Sequence, residues 1–200
     1  AVEMARKEDI INAIFIGDQD EIMSQLQSLK IEFTNYTIIN QPDNVLACQN
    51  AVQLVHDHHD YFLMKGLVDT RIILQAALHK EYGLRTKNRI SHVSVLEVPT
   101  HPKLLFMSDG GMNIAPTLDE KRQIIENAVT IAHSLGITTP NVGVLAAVEK
   151  VNPQMQATLD AESLVQMNKE GIITGCIVGG PFALDNAINK EAAIHKGVKD

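Results

Sequence analysis

Short apolar runs alternate with segments of helical period along the whole chain, and that alternation confines it to a layered α/β architecture. Strands are read at Ala13-Ile14-Phe15-Ile16, before Gly17-Asp18, at Tyr36-Thr37-Ile38-Ile39 and at Tyr61-Phe62-Leu63-Met64. Between them, Glu21 to Leu29 carries Ile22, Leu26 and Leu29 on one helical face, and Val45, Cys48, Val52 and Val55 line another helix. Thr70 to Tyr82 reads as a helix stopped by Gly83 in a left-handed cap. Ser91 to Val98 and Lys103 to Met107 flank Pro99-Thr100-His101-Pro102, which predicts a hairpin and hence a mixed sheet. A helix after Thr117 is expected to bury Ile124, Ile125, Ala128, Ala132 and Leu135 and to stop at Gly136. Val142 to Val148 is nearly all apolar, as a strand covered on both faces requires. A helix ending near Gly171, a strand over Ile172 to Val178 and a last helix from Phe182 follow. The Asn152-Pro153 turn is the expected domain seam, giving residues 1–152 as a first domain and 153–200 as the beginning of a second.

The segment from Phe106 to Thr117 is where chemistry is most expected. It leaves the apolar run Leu104-Leu105-Phe106-Met107 and reaches a helix start at Thr117, with Glu120 three residues on completing a capping box. A hydroxyl, a carboxylate, two glycines and an amide lie between, outside the carboxyl end of a strand, where open α/β sheets bind ligands. A glycine turn capped for stability is the plainer alternative.

Ser108-Asp109-x-x-Met112-Asn113-Ile114-x-Pro116 resembles the signature of the phosphate acetyl/butyryl transferase family. Further segments match in the same order: Met64-Lys65-Gly66 with Thr70, Ser91-His92-Val93, Leu145 to Pro153, and Gly180-Pro181-x-Ala183-x-Asp185-Asn186-Ala187. The form Ala147-Val148-Glu149-Lys150-Val151-Asn152 is similar to the butyryl branch, whereas the acetyl branch offers hydroxyls there. The resemblance implies a three-layer mixed-sheet α/β domain of the isocitrate/isopropylmalate dehydrogenase-like type. The start of a second α/β domain would follow, with a ligand cleft between the two. It also implies that the chain is an internal fragment, its first domain lacking an N-terminal strand and its catalytic residues lying in a later segment. Gly179 stands where the family commonly has Asp before the Gly-Pro pair.

The implied reaction exchanges a short, butyryl-like acyl group between CoA and inorganic phosphate, with CoA a substrate and no metal or redox cofactor. The alternatives are a phosphate acetyltransferase and a non-catalytic CoA or acyl-phosphate binding module. Such a site needs donors and cations around phosphate. Lys65 follows an apolar run and precedes Gly66, so it is a solvated lysine or, with the family match, a ligand contact. Thr70 is a helix N-cap, a phosphate donor, or both. Ser108 and Asn113 are candidate donors to a phosphoryl or carbonyl oxygen, and Asp109 is assigned to orienting a neighbour or the loop. Glu149-Lys150 leaves a strand end, with Lys150 placed to meet phosphate or to form a surface ion pair. Arg85, Lys87 and Arg89 form the densest basic cluster and are either a solvated loop or a hold on the phosphates of CoA. The run His56-Asp57-His58-His59-Asp60 reads as a turn, because adjacent histidines on a helix end point apart and zinc ligands come in spaced sets.

A net charge of −7 lacks the basic footprint of a nucleic-acid binder, though a few local cations suffice for CoA. Cys48 and Cys176, the two cysteines, lie far apart outside any C-x-x-C pattern and fit a reducing cytoplasm. No apolar run is long enough to span a bilayer, and no membrane role is expected. The resemblance further implies a homo-oligomer.

Overall fold

A computed structural model describes residues 1–197, and the chain divides into two compact units, 1–87 and 88–200. The last residues of the expected second domain, 198–200, lie outside the described residues, and the Asn152-Pro153 turn falls inside the second unit.

The first unit is built on one parallel strand pair. After helix α1 (Val2–Lys7), strand β1 (Ile14–Gly17) pairs with β2 (Thr37–Asn40) in the register Ile14↔Thr37 and Ile16↔Ile39. Parallel neighbours need a crossover, which α2 (Gln19–Ser28) supplies. Asp18 starts it by accepting from the amides of Asp20 (2.9 Å) and Glu21 (3.1 Å). Helices α3 (Asn44–Asp57) and α4 (Thr70–Ala77) enclose a small core of Cys48, Val52, Ile73, Ala76 and Ala77.

Three expectations fail in this unit. The run 61–64 forms no strand; Phe62 and Met64 are 65% and 57% exposed, so apolarity found no ladder to join. Asp69, not Thr70, caps α4, accepting from the Arg71 amide at 2.7 Å, and Thr70 is the first helical residue. Gly83 is not a left-handed cap, since α4 ends at Ala77. Its bare Cα is needed for close approach instead, because a Cβ there would lie 2.3 Å from the His79 carbonyl oxygen.

In the second unit β3 (Ser94–Leu96) and β4 (Leu105–Met107) form the expected antiparallel hairpin. Helix α5 (Leu118–Ser134) begins with both halves of the capping box in place: the Glu120 amide donates to Thr117 Oγ1 (3.3 Å) and the Thr117 amide to Glu120 Oε2 (2.8 Å). Thr117→Ala is expected to cost about 1 kcal/mol of stability in urea unfolding. Ile124, Ile125 and Ala132 are buried as expected and Val129 joins them, whereas Ala128 is half-buried and Leu135 is exposed.

Strand β5 (Asn141–Leu145) pairs in parallel with β6 (Ile177–Phe182), with α6 (Gln156–Lys169) as the crossover. Ile125, Val129, Leu164, Ile173, Cys176 and Val178 make the core, with Val142 and Val144 packed against it. Leu145 on the opposite face is 47% exposed, so β5 is covered on one face rather than two. Strand β6 starts later than expected, because residues 171–176 turn under Asn168. That side chain donates to the carbonyls of Ile173 (2.9 Å) and Cys176 (3.1 Å) and accepts from the Val178 amide (3.0 Å). Short helices α7 (Leu184–Ile188) and α8 (Lys190–His195) end the described chain. Asp185 and Asn186 lie inside α7 and do not cap it. None of the helices described is long and apolar enough to cross a membrane.

Candidate functional site

Two neighbourhoods of the second unit hold most of the residues singled out from sequence. The first is the loop between β4 and α5. Asp109 Oδ1 accepts from the amides of Gly111 and Met112, both at 2.9 Å, closing an Asx turn. Its Oδ2 accepts from the His92 amide (3.3 Å) and from Asn113 Nδ2 (2.5 Å). Partial burial pushes the Asp109 carboxyl up, but these donors outweigh it and bring it down to about 2. Ser108 Oγ donates to the His92 carbonyl (2.8 Å). The loop is therefore pinned to the chain entering β3 by a hydroxyl and a carboxylate.

Asn113, itself buried, ties the loop to Arg89. Its Nδ2 also donates to the Ile90 carbonyl (3.0 Å), and its Oδ1 accepts from Arg89 Nε (2.6 Å). Arg89 Nη1 pairs with Glu120 at 2.9 Å, and the Arg89 amide donates to Gln123 Oε1. Asn127 Nδ2 holds the Arg89 carbonyl (2.9 Å) and Ser91 Oγ (2.8 Å). The Thr117 amide, with Arg89 nearby, holds the Glu120 carboxyl below its usual range. Arg89 is thus fixed from both sides, while Arg85 and Lys87, exposed, belong to the first unit.

Sequence reasoning missed Glu120, Gln123 and Asn127 as a set. A signal existed: their spacing of three and four puts them on one polar stripe of α5.

The second neighbourhood is the end of β5. An open pocket of ≈ 440 Å³ is lined by Val148 to Pro153 and Lys196. Glu149 Oε1 accepts from Lys196 Nζ (2.9 Å) and Asn186 Nδ2 (2.8 Å), and Lys196 also pairs with Asp185 at 2.9 Å. Lys196 holds the Glu149 carboxyl below its ordinary value, and the two carboxylates, Asp185 first, push Lys196 up. Lys150 is exposed beside them. The turn carrying these residues is set by Thr158, fully buried, whose Oγ1 accepts from the Asn152 amide (2.8 Å). Lys196 lies 47 residues from Glu149, and nothing local in sequence announced it.

In the first unit, Lys65 is exposed with its ammonium on the Gly66 carbonyl (3.2 Å), and Thr70 is exposed at the start of α4. In the histidine run, His56 contacts Asp57 (3.1 Å) and His58 stacks on Tyr61. Among the described residues no group of three His, Cys, Asp or Glu side chains converges on a point. Both cysteines are buried, and burial pushes their thiols up.

A mixed α/β frame of small sheets, with an Asx-turn loop ahead of a capped helix, is the class of protein the fold defines. The sequence matches the phosphate acetyl/butaryl transferase family over residues 44–199, and the chain belongs to that family. It is 44% identical to phosphate butyryltransferase of Clostridium acetobutylicum over 198 residues, 99% of this chain and 66% of that protein. It is 42% identical to phosphate acetyltransferase of Thermotoga maritima over 199 residues, 100% of this chain and 67% of that protein. The chain thus spans about two thirds of the length of these curated relatives. Among solved structures, a branched-chain phosphotransacylase from Enterococcus faecalis V583 superposes with a TM-score of 0.78 at 29% identity, covering 94% of this chain and 74% of that one. EutD phosphotransacetylase from Staphylococcus aureus shares the fold at 17% identity and a TM-score of 0.70, covering 96% of this chain and 67% of that one.

Proposed function

We propose that this chain serves a phosphate acyltransferase that exchanges a short, butyryl-like acyl group between CoA and inorganic phosphate. The observation that carries the reading is 44% identity to a phosphate butyryltransferase across 99% of the chain. Acyl-CoA and phosphate are the substrates, and no resident cofactor is needed for the transfer. As the CoA thiolate attacks an acyl phosphate, or phosphate attacks the thioester, negative charge grows on the carbonyl oxygen and calls for fixed donors.

In this reading Ser108 and Asn113 border the ligand from a loop that Asp109 holds rigid, and Lys150 and Glu149 contact phosphate. Lys65 and Thr70 are the substrate-binding candidates of the first unit, and Arg85, Lys87 and Arg89 are the candidates for the phosphates of CoA. The fold reading is the dehydrogenase-like pair of α/β domains, divided at residues 152 and 153. The same reading places the enzyme in the cytoplasm as a homo-oligomer.

The test is release of free CoA thiol from butyryl-CoA with and without phosphate, beside acetyl-CoA. Phosphate-dependent release, faster from butyryl-CoA, is the expected result. Faster release from acetyl-CoA would favour the acetyl reading, which the 42% identity to a phosphate acetyltransferase keeps in view. Butyryl-CoA binding without release would leave a binding module and sink the enzyme reading.

A further inference from the structure

The pocket at the end of β5 presents an unusual set for an anion: two ammonium groups, Lys150 and Lys196, and a carboxylate, Glu149, with Asp185 also pairing Lys196 from outside the lining. A carboxylate beside an anion repels it unless the anion carries a proton to share. Glu149 is not free to turn away, because Asn186 and Lys196 both bond its Oε1. The Lys196 ammonium also keeps it ionised. Asn186, which does not line the pocket, fixes the carboxylate. It is 6% exposed, and Glu149 only accepts, so the Asn186 amide must turn its nitrogen to the carboxylate. Its oxygen, Oδ1, is then left as the buried side-chain atom without a partner among the described residues. Glu149 is the ionised acceptor lining the pocket, and a ligand that meets it must bring a donor.

We propose that this pocket selects hydrogenphosphate: Lys150 and Lys196 meet its anionic oxygens, and the Glu149 carboxylate accepts the hydrogen bond of its P–OH group. The proposal rests on the acyltransfer reading, in which inorganic phosphate is a substrate, and assigns Glu149 the choice among oxyanions. Near neutral pH hydrogenphosphate keeps one proton, as does hydrogenarsenate of the same shape. Sulfate, similar in size and charge, keeps none. Against sulfate the ionised Glu149 has nothing to accept and only repels. Asn186 is the positioning residue that fixes the carboxylate in that role.

Binding of phosphate, arsenate and sulfate to the protein is measured at pH 7.5 by titration calorimetry, without acyl-CoA. Phosphate and arsenate are expected to bind alike, and sulfate about tenfold more weakly or worse, as when a site made for a hydroxyl meets an analogue lacking it. Glu149→Gln supplies an amide that can donate to any oxyanion, so phosphate weakens, sulfate strengthens and the ratio falls to near one. Sulfate binding as tightly as phosphate to the unaltered protein, or no binding of any of the three, overturns the proposal without need of a variant. So does a ratio unmoved in a folded Glu149→Gln protein. The ranking is read without turnover, so loss of thiol release with the ranking intact counts against the acyltransfer reading alone.

Discussion

Asp109→Ala is expected to lower the stability of the second unit by about 2–4 kcal/mol in urea unfolding, with phosphate-dependent thiol release falling at the same time. One carboxylate accepts from three backbone amides and from the buried Asn113, and alanine takes this acceptor from all three amides and leaves Asn113 Nδ2 with the Ile90 carbonyl alone. Asp109→Asn is expected to recover only part of the loss. An asparagine oxygen can serve Gly111 and Met112, but its NH2 then faces the His92 amide and Asn113 Nδ2, donor against donor. Asn113 cannot turn over to relieve this, since its nitrogen also serves Ile90 and its oxygen serves Arg89. The pH dependence follows in sign. The folded carboxyl is depressed from 3.8 to about 2, so its stabilisation is complete above the unfolded value and is lost as pH falls through the folded one. Native protein should weaken progressively between about pH 4 and pH 2, and Asp109→Ala should be flatter across that window. Equal stability of Asp109→Ala and the unaltered chain at pH 7 would show that the loop is held by other means.

That loop also marks how far sequence reading reached. The glycines, the Asx carboxylate and the capping box were readable because each rests on contacts within a few residues, and Asp109 orients the loop as its chemistry suggested. Strands β1 and β2 and the helix between them were readable from period alone. Tyr61-Phe62-Leu63-Met64 was misread because apolarity reports a wish for burial and not the presence of a partner strand. The partners of Arg89 and Glu149 were out of reach for another reason. Glu120, Gln123 and Asn127 approach Arg89 only after α5 has packed, and Lys196 reaches Glu149 only through β6, α7 and α8. The spacing on α5 shows a polar stripe but not what it meets, and nothing periodic links Glu149 to Asp185, Asn186 and Lys196.

Gly180→Ala is expected to be the most damaging single-methyl change in the second unit, at about 3 kcal/mol or more, and Gly179→Ala next to it far milder. Gly180 has φ +148, where an L side chain is strained, and a Cβ there would lie 2.8 Å from the Val144 carbonyl oxygen and 3.1 Å from the Val144 Cβ. Neither neighbour can give way without moving β5, because Val144 sits at the register shift between Gly143 and Leu145. At Gly179 the obstacle is the Phe182 ring at 3.0 Å, a side chain that can swing, and the backbone needs no unusual φ. That cost should stay near 1 kcal/mol. The same contrast reaches the pocket. Strand β5 ends at Leu145, and the chain runs on through Ala146, whose amide donates to the Phe182 carbonyl at 2.8 Å, to Glu149 and Lys150. Displacing β5 at Val144 therefore displaces the carboxylate and the lysine together, so Gly180→Ala should lose phosphate binding along with its melting temperature. Gly179→Ala should keep both, and Gly179→Asp, the residue expected from the family pattern, should fold once Phe182 turns aside. A Gly180→Ala protein that melts with Gly179→Ala would mean that β5 yields at its bulge, and the pocket would then be held by Thr158 and Lys196 rather than by the strand.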